Sequence, residues 1–397
     1  MRLDELVRRH RRNVHSGGAA EAAGSPLVEA KGGFGSNPGA LRMLSFVPEG
    51  LPAGAPLVVV LHGCTQTAAG YDRGTGWSAL ARQLGFALLL PEQRTANNHN
   101  RCLNWFEPGD TARGAGEALS IRQMVTHMLA GHRLDPARVF VTGLSAGGAM
   151  TSVMLATYPE VFAAGAIVAG LPYGAAANMQ QAFEAMASGR PRPGREWGDL
   201  VRAASPHRGP WPRVSVWQGE ADTTVRPVNA AQILRQWRDL HGITAPPRLE
   251  GATGGGHLHR VWRDTSGRAV LEHHSIAGLA HGVPIHPGPG PERGGVAAPH
   301  ILDVGVSSTW RIAGFFGLAE GRHQAAAPSA AAMAAARPAA AALGVIRVGQ
   351  DGEARVAAAP EQRPGPERPE PGWSGPEAGG PGAVIRRALQ AAGLLKP

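Results

Sequence analysis

Three side chains far apart in this chain could together carry out acyl-transfer chemistry. Ser145 lies in Gly143-Leu144-Ser145-Ala146-Gly147, directly after the apolar run Val139-Phe140-Val141. A serine hydroxyl is a weak nucleophile at neutral pH. It attacks a carbonyl efficiently when a histidine takes its proton and a carboxylate orients that histidine. A short β-forming run, a serine flanked by glycines, and a helix-capable stretch at 148–157 describe a strand, a tight turn and a helix with serine at the apex. The flanking glycines suit a turn that holds serine at strained dihedrals between a strand and a helix. No G-x-G-x-x-G pattern or Walker lysine accompanies the segment, so a phosphate-binding turn is disfavoured.

The partners are sought in the chain order serine, acid, histidine. Arg213 to Gly219 reads as a strand, and Glu220-Ala221-Asp222 follows it. Asp222, just past the turn, is favoured over Glu220 as the acid. The chain has 16 histidines. His273 and His274 fall within a strand and point to opposite faces, so at most one could approach the serine. His281, in Gly278-Leu279-Ala280-His281-Gly282 beyond that strand, is the preferred base, ahead of His286, His300 and the His257/His259 pair. No carboxylate or cysteine cluster is seen to complete a metal site around that pair, which reads as a solvent-facing loop. No metal and no cofactor are expected.

An oxyanion needs two backbone N–H donors. Ala146 supplies one at the start of the helix, where the dipole helps. The loop Leu61-His62-Gly63-Cys64-Thr65-Gln66-Thr67 supplies the other, assigned to Cys64 with Thr65 as the alternative. Cys64 and Cys102 are the only cysteines, and both fall in loops expected near the serine. A disulfide between them would tie the oxyanion loop to the 94–108 loop; two free thiols would fit a reducing compartment. Asn104 and Trp105, at the end of that second loop, are candidate substrate-binding residues.

Alternating elements must position these residues. Apolar runs at Leu41–Val47, Leu57–Leu61, Phe86–Leu90, Ala166–Val168, Val214–Trp217 and Val270–Ile276 predict strands, the last taken as the final one. Helical spacing predicts helices over Trp77–Leu84, Gly116–Gly131, Val228–Leu240 and Ser307–Phe316. This alternation predicts a mostly parallel central sheet flanked by helices, and the strand–serine–helix turn at Ser145 makes it an α/β-hydrolase fold. The stretch 172–212 breaks the rhythm and reads as a small cap insertion.

Composition divides the chain into a basic N-terminal arm (1–34), a folded α/β-hydrolase domain (35–320) and an Ala/Pro-rich tail (321–397). The tail, with Trp373 as its only aromatic, is too poor in apolar side chains to offset chain entropy and is expected to be disordered. An amphipathic pattern over Ala383–Leu395 allows a terminal helix. The formal charge is +9, yet Lys31 and Lys396 are the only lysines. Arg8, Arg9, Arg11 and Arg12 form the one dense basic cluster, without interleaved aromatics, so nucleic-acid binding is not expected. No segment reads as membrane-spanning, and no apolar signal region is visible near the start.

Several segments match a known family together: LHGCTQTA, PEQRTANNHNRCLNWFEP, GEALSIRQMV, DPARVFVTGLSAGGAM, YPEVFAAGAIVAGLPY and GEADTTVRPVNA. Over about Leu41 to Leu318 the chain resembles the esterase family of poly(3-hydroxybutyrate) depolymerases and, more distantly, feruloyl and acetylxylan esterases. The resemblance implies serine esterase chemistry without metal, with Ser145, Asp222 and His281 as nucleophile, acid and base. It implies a polyester or oligoester substrate, with ferulate or acetate esters of polysaccharide as the alternative. Members of the family are often secreted. With no signal region visible here, a cytoplasmic or granule-associated location is equally open.

Overall fold

The computed structural model describes residues 24–253 and 256–319. The basic cluster at Arg8–Arg12, the Ala/Pro-rich tail and the amphipathic pattern at its end lie outside them. Ten strands build one sheet: β1 (Val28–Glu29), β2 (Arg42–Phe46), β3 (Leu57–Leu61), β4 (Ala87–Glu92), β5 (Val139–Leu144), β6 (Ala164–Val168), β7 (Arg213–Gly219), β8 (Arg248–Thr253), β9 (His257–Arg263) and β10 (Ala269–Ile276). Their spatial order is β1-β2-β4-β3-β5-β6-β7-β10-β9-β8. From β4 to β10 every pairing is parallel. The pairings at both edges are antiparallel. This is the α/β-hydrolase fold expected from the sequence.

The central strands read as unbroken apolar runs because helices cover both faces of the sheet. β3 shows the consequence residue by residue. Leu57, Val59 and Leu61 enter one core, and Val58 and Val60 the other. The first core holds Ile121, Met124, Val125 and Met128 of the helix Gly116–His132, with Met150, Val153 and Met154 of the helix Ala146–Thr157. The second holds Trp77, Leu80 and Ala81 of the helix Trp77–Leu84, with Ile312 and Ala313 of the helix Ser308–Phe315.

Two sequence expectations are corrected. β10 is not the last strand: Val283–Ile285 (β11) and Ile301–Asp303 (β12) follow and pair in parallel as a separate two-stranded sheet. Three residues each are too few for a period-2 pattern to emerge. Nor do His257 and His259 lie in a solvent-facing loop. They belong to β9, where His257 is buried.

A carboxylate does stand beside that pair. Glu272 on β10 meets His259 Nε2 at 3.0 Å and His274 Nε2 at 3.1 Å, and accepts from Ser215 Oγ at 2.6 Å. His257 Nε2 lies 2.9 Å from His274 Nδ1. Burial alone would raise Glu272, but hydrogen bonds from His259, His274 and Ser215 and the nearby His274 outweigh it and bring the carboxyl down to about 2. His259, Glu272 and His274 bring three possible ligand atoms within 4.8 Å of one another. The His259 and His274 rings are stacked, however, with centroids 4.0 Å apart and planes 10° apart. Parallel rings cannot both aim an in-plane lone pair at one ion, so the arrangement is a hydrogen-bonded polar core. That polar core is why β9 lacks an apolar signature.

The topology gathers the predicted side chains. β3 and β5 end in register, Leu61 opposite Gly143, and β7 and β10 end in register, Gly219 opposite Ile276. Loops leaving these carboxyl ends carry His62–Thr67, Ser145, Glu220–Thr224 and Leu279–His281. Ligands of open α/β sheets bind at such edges. The 172–212 stretch folds into the helices Met179–Ser188 and Gly194–Ala204. No helix among the described residues is long and apolar enough to cross a membrane.

Candidate active site

Ser145 caps the helix Ala146–Thr157 with φ 57° and ψ −116°. L-residues rarely hold such a conformation, so surrounding packing must impose it. The glycines show how. A Cβ on Gly143 would fall 2.4 Å from Gly147 O, and one on Gly147 would fall 2.3 Å from Leu61 O. Strand and helix approach too closely for any side chain there. Ser145 N–H donates to Val168 O at 2.9 Å, which pins the turn to the next strand.

The acid loop and the histidine loop are laced together. Glu220 N–H donates to Ile276 O and Ala221 N–H to Leu279 O, at 3.0 and 3.1 Å. The resulting line runs Asp222 Oδ2, His281 Nδ1 at 2.8 Å, and His281 Nε2 to Ser145 Oγ at 2.9 Å. Asp222 is buried but well provided with donors. Its Oδ1 accepts from the backbone N–H groups of Thr224 and Val225, each at 2.9 Å. Its Oδ2 also accepts from Gln218 Nε2 at 3.2 Å. A carboxylate so bonded keeps one oxygen aimed at the imidazole. Glu220 turns the other way and accepts from Ser275 Oγ. His273 and His274 stay in the sheet, and neither meets Ser145.

Around the predicted oxyanion donors the loop is ordered by its own amides. Gly63 N–H donates to Gln66 Oε1 at 2.9 Å, and Thr65 N–H to Asn100 O at 2.6 Å. Thr65 is therefore engaged, while the Cys64 N–H between them has no acceptor among the described residues. Beneath the loop, Gln93 N–H donates to His62 Nε2 at 3.1 Å, so the proton sits on Nδ1, which donates to Gly63 O at 2.7 Å. Burial pushes His62 below its ordinary range and keeps it neutral. Cys64 and Cys102 are joined in a disulfide, closing the loop pair at the cleft.

A cleft of about 360 Å³ opens over Ser145 and His281. Trp105, Phe106 and Leu144 line it together with Met179, Ala182, Phe183 and Met186. These last four fall at i, i+3, i+4 and i+7 of the helix Met179–Ser188, so one stripe of that helix faces the cleft. The sequence reading missed them, although this spacing was the available signal. Trp105 lines the cleft as expected. Asn104 does not, and its expected substrate role is corrected. Its side chain donates to Asp110 Oδ2 at 3.2 Å and accepts from Asn98 Nδ2 at 3.0 Å. In chain order the loop turns Asn104 inward to bond its neighbours and leaves the next two rings for the cleft.

Residues 43–256 match the family model described as "Esterase PHB depolymerase". The chain is 50% identical over 286 residues to poly(3-hydroxyalkanoate) depolymerase C of Paucimonas lemoignei, covering 72% of this chain and 69% of that protein. It is 35% identical over 260 residues to feruloyl esterase B of Neurospora crassa, covering 64% of this chain and 87% of that one. Among solved structures it is similar to an acetyl xylan esterase from Aspergillus awamori, with TM-score 0.63 and 28% identity over 74% of this chain and 99% of that one. A family match over more than half of its length, on an α/β-hydrolase fold, makes this chain a carboxylic ester hydrolase belonging to the esterase family of PHB depolymerases.

Proposed function

We propose that this enzyme hydrolyses poly(3-hydroxybutyrate) or its oligomers by serine chemistry through an acyl-enzyme. The observation that carries the mechanism is the continuous hydrogen-bonded line from Asp222 through His281 to Ser145, at 2.8 and 2.9 Å. His281 Nε2 takes the Ser145 proton while Oγ bonds to the ester carbonyl carbon. The oxyanion formed is met by the N–H groups of Cys64 and Ala146. Asp222 stabilises the imidazolium without taking its proton. Collapse breaks the carbon–oxygen bond of the ester, and His281 protonates the leaving alkoxide. A water then gives a proton to His281 and attacks the Ser145 ester. Ser145 leaves, recovers its proton, and the acid is released.

The polyester substrate is supported by the 50% identity to a poly(3-hydroxyalkanoate) depolymerase and by the apolar wall of the cleft. Feruloyl and acetyl esters of polysaccharide are the second reading, favoured by the likeness to esterases of those names. Replacement S145A should lower kcat by at least ~1000-fold with the fold intact. A phosphonate ester should add covalently to the wild type and not to S145A, as read by intact mass. Ester hydrolysis undiminished in S145A would sink the mechanism. Release of hydroxybutyrate, against ferulate or acetate, from a small substrate panel decides the acyl group.

A further inference from the structure

Beside His281 stands a turn, Ala298–Ile301, that the reaction as written above does not use. Ala298 and Ile301 exchange backbone hydrogen bonds of 3.1 and 2.9 Å, with Pro299 and His300 at the corners. His300 holds φ 62°, a left-handed conformation that glycine or asparagine adopts with less strain. Histidine there calls for a reason, and its side chain supplies one. Nδ1 lies 3.1 Å from the backbone O of His281. A carbonyl only accepts, so Nδ1 carries the proton and donates.

His300 also grips the other side of the same loop. Its backbone O accepts Val283 N–H at 2.8 Å. Gly282 lies so close beneath that a Cβ on it would fall 2.7 Å from that oxygen. The His281 and His300 rings meet edge to face, with centroids 5.7 Å apart. From the opposite direction, Gln66 Nε2 donates to Pro299 O at 3.4 Å while its Oε1 holds Gly63 N–H. One turn thus joins the loop bearing His281 to the loop bearing Cys64.

We propose that His300 is a positioning residue: its Nδ1–H fixes the His281 backbone, and so sets the imidazole against Ser145 and the oxyanion loop. The inference rests on His281 acting as the base. Small displacements of a catalytic group are costly to turnover and need not change ground-state binding.

Three variants separate this role from simple packing. In H300N, Nδ2 stands as many bonds from the backbone as the histidine Nδ1, can donate, and tolerates positive φ. H300D has the same shape but only accepts, and would face a carbonyl. H300L fills the space without a polar atom. With p-nitrophenyl butyrate, kcat should stay within about two-fold in H300N. It should fall about ten-fold in H300L and at least as far in H300D, with KM and melting temperature little changed. Wild-type kcat in both H300L and H300D would overturn the proposal. So would equal losses in H300N and H300D, or kcat losses that track melting temperature. H281A keeps the two readings apart. An active H281A removes the base assignment itself. An inactive H281A beside a fully active H300D removes only the role of His300.

Discussion

Glu117 Oε2 accepts the backbone N–H of Asn104 at 2.8 Å, and through it a buried carboxyl holds the start of the aromatic wall of the cleft. Glu117 Oε1 accepts from Gln93 Nε2, and Gln93 also bonds the ring of His62. The carboxyl therefore lies beneath both the oxyanion loop and the loop carrying Trp105 and Phe106. Burial, with the nearby charge of Asp110, raises it to about 8 against the donors from Asn104 and Gln93.

That shift has a definite sign. The unfolded chain releases this proton near the ordinary value of 4.5, whereas the folded chain keeps it until about pH 8. Between those values the folded state binds more protons, so stability falls as pH rises. From pH 6 to pH 9 this one group should cost about 3 kcal/mol, roughly 5–10 °C in Tm. E117Q should be less stable than wild type at pH 6, because its amide nitrogen faces a donor, and should lack this part of the slope. Parallel Tm–pH curves for wild type and E117Q would rule the account out.

The Cys64–Cys102 disulfide gives a second prediction. The two residues are 38 apart in sequence, so the cross-link removes about 4 kcal/mol of loop entropy from the unfolded chain on a chain-entropy estimate. The double variant C64S/C102S should melt roughly 5–15 °C lower. Its kcat should fall more than its KM rises, because the bridge backs the amide assigned to the oxyanion. Alkylation of the denatured protein should modify no cysteine without reductant and two with it. Two alkylated cysteines without reductant would show the bridge absent in solution.

Most of the sheet and the Ser145 line were legible in the sequence because each has a local cause. Strands covered on both faces must be apolar throughout, as Leu57–Leu61 is. The turn at Ser145 admits only glycine at Gly143 and Gly147, where a side chain would strike backbone. Asp222 and His281 each follow a strand on the edge that holds the serine. What escaped was structure held by distant polar pairing. β9 sets His257 against His274 and His259 against Glu272, so its pattern lacks the apolar alternation of a covered strand. The side chain of Asn104 is used by Asp110 and Asn98, and nothing local to Asn104-Trp105-Phe106 says which of the three faces the cleft. Glu117 reads as an ordinary residue in the first turn of a helix until Gln93 and Asn104 are seen closing over it.

The cap helix Met179–Ser188 yields the last prediction, on substrate choice. Ala185 is buried in the core beneath and Ala182 is buried at the base of the stripe, whereas Phe183 is only half-buried and faces the cleft. Truncating Phe183 should therefore affect an acyl chain more than the fold. Removing a partly exposed aromatic wall forfeits about 1 kcal/mol of apolar contact with a bound chain, which is roughly a five- to ten-fold loss of affinity. F183A should raise KM for hydroxybutyrate oligomers by about that factor, with kcat within about two-fold and Tm within a few degrees. A p-nitrophenyl acetate substrate, which has only an acetyl group on the acyl side, should show almost no change. Equal losses on both substrates would mean that the helix supports the site generally and does not contact the acyl chain. A fall in kcat at unchanged KM would mean that it acts on the reacting groups. Only a KM effect confined to the longer substrate fits a helix that serves as the acyl wall.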